Sequence, residues 1–245
     1  MALLKHAQRG KKILSLFKLA VLISGSGSNL QAVIDAVSEG TIPDAKVELV
    51  ISSREGVFGL ERAKKHGITN MVIGRHDNEK LSKILEDNKI DGIILAGYLS
   101  LLPADVVKSY SGKIINIHPA LLPMFGGKGF YGIRVHNAVL TAGVKYTGAT
   151  AHLADREYDT GDVLVRSIVP VITGDTAETL QQRVLEVEHK TLVRAVKALT
   201  ENKIDELVTR PVTFVQEEDK EGLHEFAHGL IALGRALTDA DNGEI

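Results

Sequence analysis

A chain of 245 residues, 44% of them apolar, is long enough to bury one large core or a core with an appendage. Its 29 basic and 31 acidic side chains leave a net charge of −2, which gives no basic field for a nucleic acid but does not disfavour a single phosphate monoester. Without cysteine there is no disulfide, thiolate nucleophile or cysteine metal site, and no apolar run approaches the roughly 18 residues that cross a bilayer. The expectation is a soluble, cytoplasmic protein with small-molecule partners, no nucleic acid and no membrane.

Residues 1–17 carry Lys5, Arg9, Lys11 and Lys12 with no acid. They lack the long apolar stretch and small-residue cleavage site of a secretory leader and are short and serine-poor for a transit peptide, so they read as an N-terminal extension. From Leu19 the pattern settles. Apolar runs at Leu19–Ile23, Val47–Ile51, Asn70–Ile73, Gly92–Leu95 and Lys113–Ile117 alternate with amphipathic segments at Leu30–Val37, Phe58–Lys65, Lys80–Asp87 and Ala104–Tyr110. That alternation predicts an α/β domain over 18–200, a Rossmann-like, doubly wound, mostly parallel sheet with helices on both faces. In such a sheet, ligands collect at the carboxyl ends of the strands.

After the first run, Ser24-Gly25-Ser26-Gly27-Ser28-Asn29 leads into Leu30-Gln31-Ala32-Val33. Glycines let the backbone approach an anion, Ser28 or Asn29 can cap the helix, and the free N–H groups of its first turn point at the same spot. The stretch reads either as a phosphate site or as a glycine turn before a capped helix. It is a poor dinucleotide fingerprint, because Leu30 stands where G-x-G-x-x-G needs a third glycine or alanine. Ser52 and Ser53 also stand where an acidic ribose ligand is expected, and Arg54 leaves only a phosphorylated-ribose variant open.

The loop Ala96-Gly97-Tyr98-Leu99-Ser100-Leu101-Leu102-Pro103 is apolar and falls at the same sheet edge, where it either packs beneath the next helix or walls a flat heteroaromatic ligand. In Lys113–Pro123 a β-branched run gives way to Asn116, His118 and Pro119, so the strand stops abruptly. Asn116 and His118 are two apart, project from one face and can converge on one small group, while Pro119 and Pro123 stiffen the exit. A glycine-rich loop (Gly126–Gly132), a helix from about Ile133, two β runs (Lys145–Leu153 and Val163–Val171) and a helix over Ala177–Leu199 follow. Between the β runs, Asp159-Thr160-Gly161 is a tight-turn signal that folds its loop toward the sheet edge. Leu223, Phe226, Ala227, Leu230 and Ile231 sit at helical spacing, so 201–245 is expected to be a helical C-terminal extension.

The string Asn116-Ile117-His118-Pro119-Ala120-Leu121-Leu122-Pro123 resembles the signature of the folate-dependent formyltransferases, most closely the branch acting on glycinamide ribonucleotide; the likeness runs from about Lys18 to about Ala198. It implies Asn116, His118 and Asp159 as catalytic groups, Gly27, Ser28 and Asn29 on the substrate phosphate, and Glu188 on the ribose hydroxyls. It also implies 10-formyltetrahydrofolate as co-substrate, held by Leu99, Ser100, Leu101, Leu102 and Asn116, with no metal. Many relatives carry Arg or Lys where this chain has Ser100; Arg75 is a further candidate for a folate contact. His152 either supports the site or packs in the core.

The implied mechanism has the Asn116 amide and a protonated His118 donating to an oxyanion, while Asp159 raises the His118 pKa above its usual value of about 6.5 and relays a proton. Gly126–Gly132 closes as a lid against water. The implied assembly is a monomer or homodimer. Formyltetrahydrofolate deformylase, with water as acceptor, and a non-catalytic nucleotide- or folate-binding relative are the alternatives.

Overall fold

A computed structural model describes residues 15–215. In chain order they form β1 (Phe17–Ile23), α1 (Ser28–Ser38), β2 (Ala45–Ser52), α2 (Phe58–Lys65), β3 (Thr69–Val72), α3 (Asn78–Asp87), β4 (Gly92–Leu95), α4 (Ala104–Ser109), β5 (Ile114–His118), α5 (Ile133–Ala142), β6 (Tyr146–Leu153), β7 (Val163–Pro170), α6 (Ala177–Thr200), α7 (Ile204–Thr209) and β8 (Val212–Val215). The strands make one sheet in the order β3-β2-β1-β4-β5-β6-β7-β8. It is parallel from β3 through β5, antiparallel across β5, β6 and β7, and parallel again between β7 and β8.

A strand covered on both faces must be apolar at every position, and Leu19 to Ile23 are all fully buried. The pleat then divides them. Leu19, Val21 and Ile23 join the core beneath α1 and α6, whereas Ala20 and Leu22 join a second core with Leu81 and Leu85 of α3 and Val106 of α4. Each face of the sheet thus has its own helix layer.

The long helix α6 ties the first core together. Leu180, Val184, Val187, Thr191, Leu192, Ala195, Val196 and Leu199 form its buried stripe at helical spacing. Its start is fixed by a reciprocal capping box. The Thr179 N–H donates to Thr176 Oγ1 at 3.2 Å, and the Thr176 N–H to Thr179 Oγ1 at 3.0 Å. Such a start fixes the phase of the helix and hence where Glu188 points.

The sheet goes one strand further than the sequence suggests. The predicted domain stops at 200, but α7 and β8 follow, and Val212–Val215 pairs in parallel with Val165–Ile168. Four residues on a partly exposed edge give too short an apolar run to stand out. The Arg194 guanidinium, 3.3 Å from the centre of the Phe214 ring, holds β8 against α6. The basic residues of the N-terminal extension and the amphipathic stretch 219–237 lie outside the described residues.

Candidate active site

The site lies where β1, β4 and β5 end together, at the point where the strand order reverses direction around β1. Ser24, the first residue past β1, is buried there. Its hydroxyl lies 2.7 Å from Ser53 Oγ and accepts the Leu99 N–H at 3.1 Å, so one side chain joins the loops after β1, β2 and β4. Sequence reasoning passed over Ser24; a serine ending a wholly apolar strand was its signal.

Sequence reading gives the α1 cap to Ser28 or Asn29, but the N-cap position falls on Gly27, in the left-handed region at φ 72°, with no side-chain cap. Ser28 and Asn29 are instead the first helical residues, and their N–H groups belong to the turn that has no partner within the helix. Helix α2 holds this loop from behind. The Gly59 N–H donates to the Gly25 carbonyl at 3.2 Å, and Arg62 Nε donates to the Ser26 carbonyl at 3.0 Å. A Cβ on Gly27 would come within 2.7 Å of the Gly59 backbone. Gly27→Ala is therefore expected to destabilise the fold by about 1–3 kcal/mol, readable by thermal melting.

Asn29 points across to α6, where its Nδ2 donates to Glu188 Oε2 at 2.8 Å. Burial pushes the Glu188 carboxyl up to about 7, with the Asn29 hydrogen bond opposing. A carboxyl whose pKa is raised on folding holds its proton more tightly in the native state than in the unfolded one. The fold therefore loses stability as pH rises from about 4.5 to about 7, by roughly 3 kcal/mol once the group is ionised. Glu188→Gln is expected to raise the melting temperature by several degrees at pH 8, with little change at pH 4.5.

The strand-end groups meet a turn from the far side. Asp159 has φ 61°, a left-handed conformation that aspartate tolerates, which brings its carboxylate back over β5. Asp159 Oδ1 accepts from Asn116 Nδ2 at 3.2 Å, and Oδ2 accepts the Gly127 N–H at 2.8 Å. His118 Nδ1 and His152 Nε2 each lie 3.5 Å from the carboxylate. Burial works against its charge, but the hydrogen bonds it accepts, the Gly127 N–H among them, outweigh that and hold the Asp159 carboxyl below the usual carboxylate range. Asp159 is an ionised hub at neutral pH.

His152 proves to be part of this cluster. Its Nδ1–H donates to the Leu153 carbonyl at 2.8 Å, which leaves Nε2 to accept from Asn116 Nδ2 at 2.9 Å. Both amide hydrogens of Asn116 are thereby engaged. His118 Nε2 donates to the Phe125 carbonyl at 2.8 Å. Here an expectation fails. Burial outweighs the attraction of Asp159 and of the Phe125 carbonyl, and the His118 pKa lies below its ordinary value instead of above it.

The loop over the cluster is anchored to it. Phe125, itself left-handed at φ 55°, offers its carbonyl to His118, and the Gly127 N–H reaches Asp159, so His118 and Asp159 hold both sides of Gly126. A Cβ at Gly126 would meet the Asp159 Cβ at 3.2 Å. Lys128 to Gly132 then form one wall of a cavity of about 630 Å³. That cavity joins the two halves of the site. Gly27, Ser28, Asn29 and Glu188 line one part of it, and Asn116, His118, Asp159 and Leu99 line another.

Not every expected group lines it. Ser100, Leu101 and Leu102 are absent from the lining, with Leu101 45% exposed and Leu102 packed on the second core beside Tyr98. The loop turns away after Leu99, whose N–H is pinned to Ser24. Tyr98 lines the cavity in their place. Arg75 sits in the exposed turn after β3, outside the lining.

The formyl transferase family pattern matches residues 17–196, the whole span from β1 to the last turns of α6. This chain belongs to that family. Among formyl transferases, it is 43% identical over 195 residues to the chloroplastic phosphoribosylglycinamide formyltransferase of Arabidopsis thaliana, covering 76% of this chain and 66% of that one. In solved structures it resembles glycinamide ribonucleotide transformylase 1 from Symbiobacterium toebii, with a TM-score of 0.71, 35% identity and coverage of 77% of this chain and 89% of that one. The phosphoribosylglycinamide formyltransferase of Anaplasma phagocytophilum gives a TM-score of 0.70 at 38% identity, over 77% of this chain and 88% of that one. The chain spans just under two thirds of the plant relative's length and most of the bacterial ones.

Proposed function

We propose that this chain transfers the formyl group of 10-formyltetrahydrofolate to the amine of glycinamide ribonucleotide, a step of purine biosynthesis. The observation that carries the reading is the continuous cavity, with a helix N-terminus and a buried carboxyl in one part and the Asn116–His118–Asp159 cluster in another. The loop at Gly27–Asn29 takes the phosphate of the ribonucleotide. Glu188 takes its ribose hydroxyls, and the amine then lies toward Asp159.

In this reading the amine nitrogen attacks the formyl carbon, the carbonyl oxygen becomes an oxyanion, and the bond to the folate nitrogen breaks. A proton leaves the attacking amine and one reaches the departing nitrogen, so the protonation state of the cluster is conserved over the cycle. Asp159, ionised before substrate arrives, is the group placed to take that proton, directly or through one water. Asn116 and His118 supply the oxyanion's donors, each contributing about 3 kcal/mol. Both exchange a present partner for the oxyanion, Asn116 leaving Asp159 or His152 and His118 leaving Phe125. The second exchange couples oxyanion binding to the loop at Gly126–Gly132.

The deformylase alternative needs only water as acceptor and gives no purpose to the loop at Gly27 or to buried Glu188. Calorimetry separates the two. Glycinamide ribonucleotide is expected to bind at least tenfold more tightly than the dephosphorylated riboside; equal affinity, or no binding of either, would count against the ribonucleotide reading.

A further inference from the structure

His136, in the first turn of α5, lines the same cavity and is only 1% exposed. Its Nδ1 is sealed from solvent and has no hydrogen-bond partner among the described residues. A buried polar atom without a partner is rare and costs free energy, so a histidine kept in this state at the wall of a cavity calls for an explanation. Neither the phosphate loop nor the Asp159 cluster uses it.

The ring's protonation follows from its surroundings. Burial, with the nearby His118 adding repulsion, pushes the His136 pKa down to about 4, so the imidazole is neutral through the physiological range. A neutral ring carries one proton, on one nitrogen or the other. On Nδ1 it would be an orphaned buried donor. On the other nitrogen, Nε2, it becomes a donor that a ligand in the cavity can use.

We propose that His136 is a substrate-binding residue, an uncharged donor whose Nε2–H takes an oxygen acceptor of the bound ribonucleotide beside the reacting amine. This rests on the ribonucleotide reading above. A neutral donor suits that position. An imidazolium would compete with the substrate amine for the Asp159 charge, whereas a neutral N–H binds a carbonyl or hydroxyl oxygen without disturbing it. The side-chain donors of the Asp159 cluster are already committed, Asn116 to His152 and Asp159, and His118 to Phe125. His136 alone among these holds its donor free in the absence of substrate.

Two variants and one spectroscopic measurement test this. His136→Leu, which fills the space without a donor, is expected to lower kcat/KM for the ribonucleotide by about 10- to 100-fold. His136→Gln, whose Nε2 restores a donor, is expected to recover most of that loss, and neither is expected to move the pH profile of kcat. Equal activity of the leucine and glutamine variants, at equal melting temperature, would overturn the proposal. Independently of turnover, ¹⁵N resonances of the His136 ring should report the Nε2–H tautomer, neutral at pH 6 and shifted by added ribonucleotide. An Nδ1–H tautomer, or an imidazolium at pH 6, would overturn it even in an active protein. If the parent protein shows no ribonucleotide-dependent turnover, the functional reading fails by itself; the tautomer then still decides the donor, and absence of any shift with ribonucleotide rejects the ligand.

Discussion

Asp159→Asn is expected to reduce turnover by about 10³-fold or more while leaving the fold and ribonucleotide binding nearly intact. The substitution is informative because asparagine, like aspartate, tolerates the left-handed backbone at φ 61°, so strain does not confound the result. An alanine there would add strain to the loss of charge. The amide is nearly isosteric but replaces one acceptor oxygen with a donor. Asp159 uses both oxygens, one for the Asn116 amide and one for the Gly127 N–H, and an amide group can face only one of these with an acceptor. Proton acceptance is lost, and either Asn116 or the loop at Gly127 is released. Steady-state kinetics with calorimetric binding of the ribonucleotide check this. Turnover within tenfold of the parent would show that Asp159 takes no part in proton transfer.

His118→Ala carries the second large effect, again about 10³-fold in kcat with the ribonucleotide still bound. The reason differs. His118 touches both Asp159 and the Phe125 carbonyl, so its removal takes away an oxyanion donor and also one anchor of the Gly126–Gly132 loop. Two separable symptoms follow. Slower formyl transfer reports the lost donor, and a rise in hydrolysis of the folate relative to transfer reports water entering beneath a loosened loop. Measuring folate consumption and formylated ribonucleotide in one reaction gives both. A fall in transfer with the hydrolysis ratio unchanged would mean that the Phe125 contact is not what holds the loop.

The sequence was most legible where chemistry and periodicity coincide. Asn116 and His118 two apart at the end of an apolar strand, and a glycine-serine loop after another, sit on regular elements whose geometry fixes the direction of each side chain. Glu188 is different. Within α6 it reads as a solvated helix residue, and only the packing of that helix against α1 buries it beside Asn29. Packing of this kind depends on the whole sheet order. His152 and His136 were ambiguous or unread for the same reason, since a histidine's neighbours in the chain give no sign of which ring nitrogen has a partner. The pKa of His118 was misjudged because a carboxylate neighbour is visible from motif spacing, whereas the depth of burial that outweighs it is not. Leu99–Leu102 divides between two environments: Leu99 lines the cavity beside Tyr98, whereas Ser100, Leu101 and Leu102 lie outside its lining.

The most direct measurement is consumption of 10-formyltetrahydrofolate by the purified chain, with and without glycinamide ribonucleotide. Consumption that requires the ribonucleotide, with one formylated ribonucleotide formed per folate used, is the expected result. Consumption at the same rate without it would make water the acceptor and contradict the assignment of Gly27–Asn29 and Glu188 to a ribonucleotide.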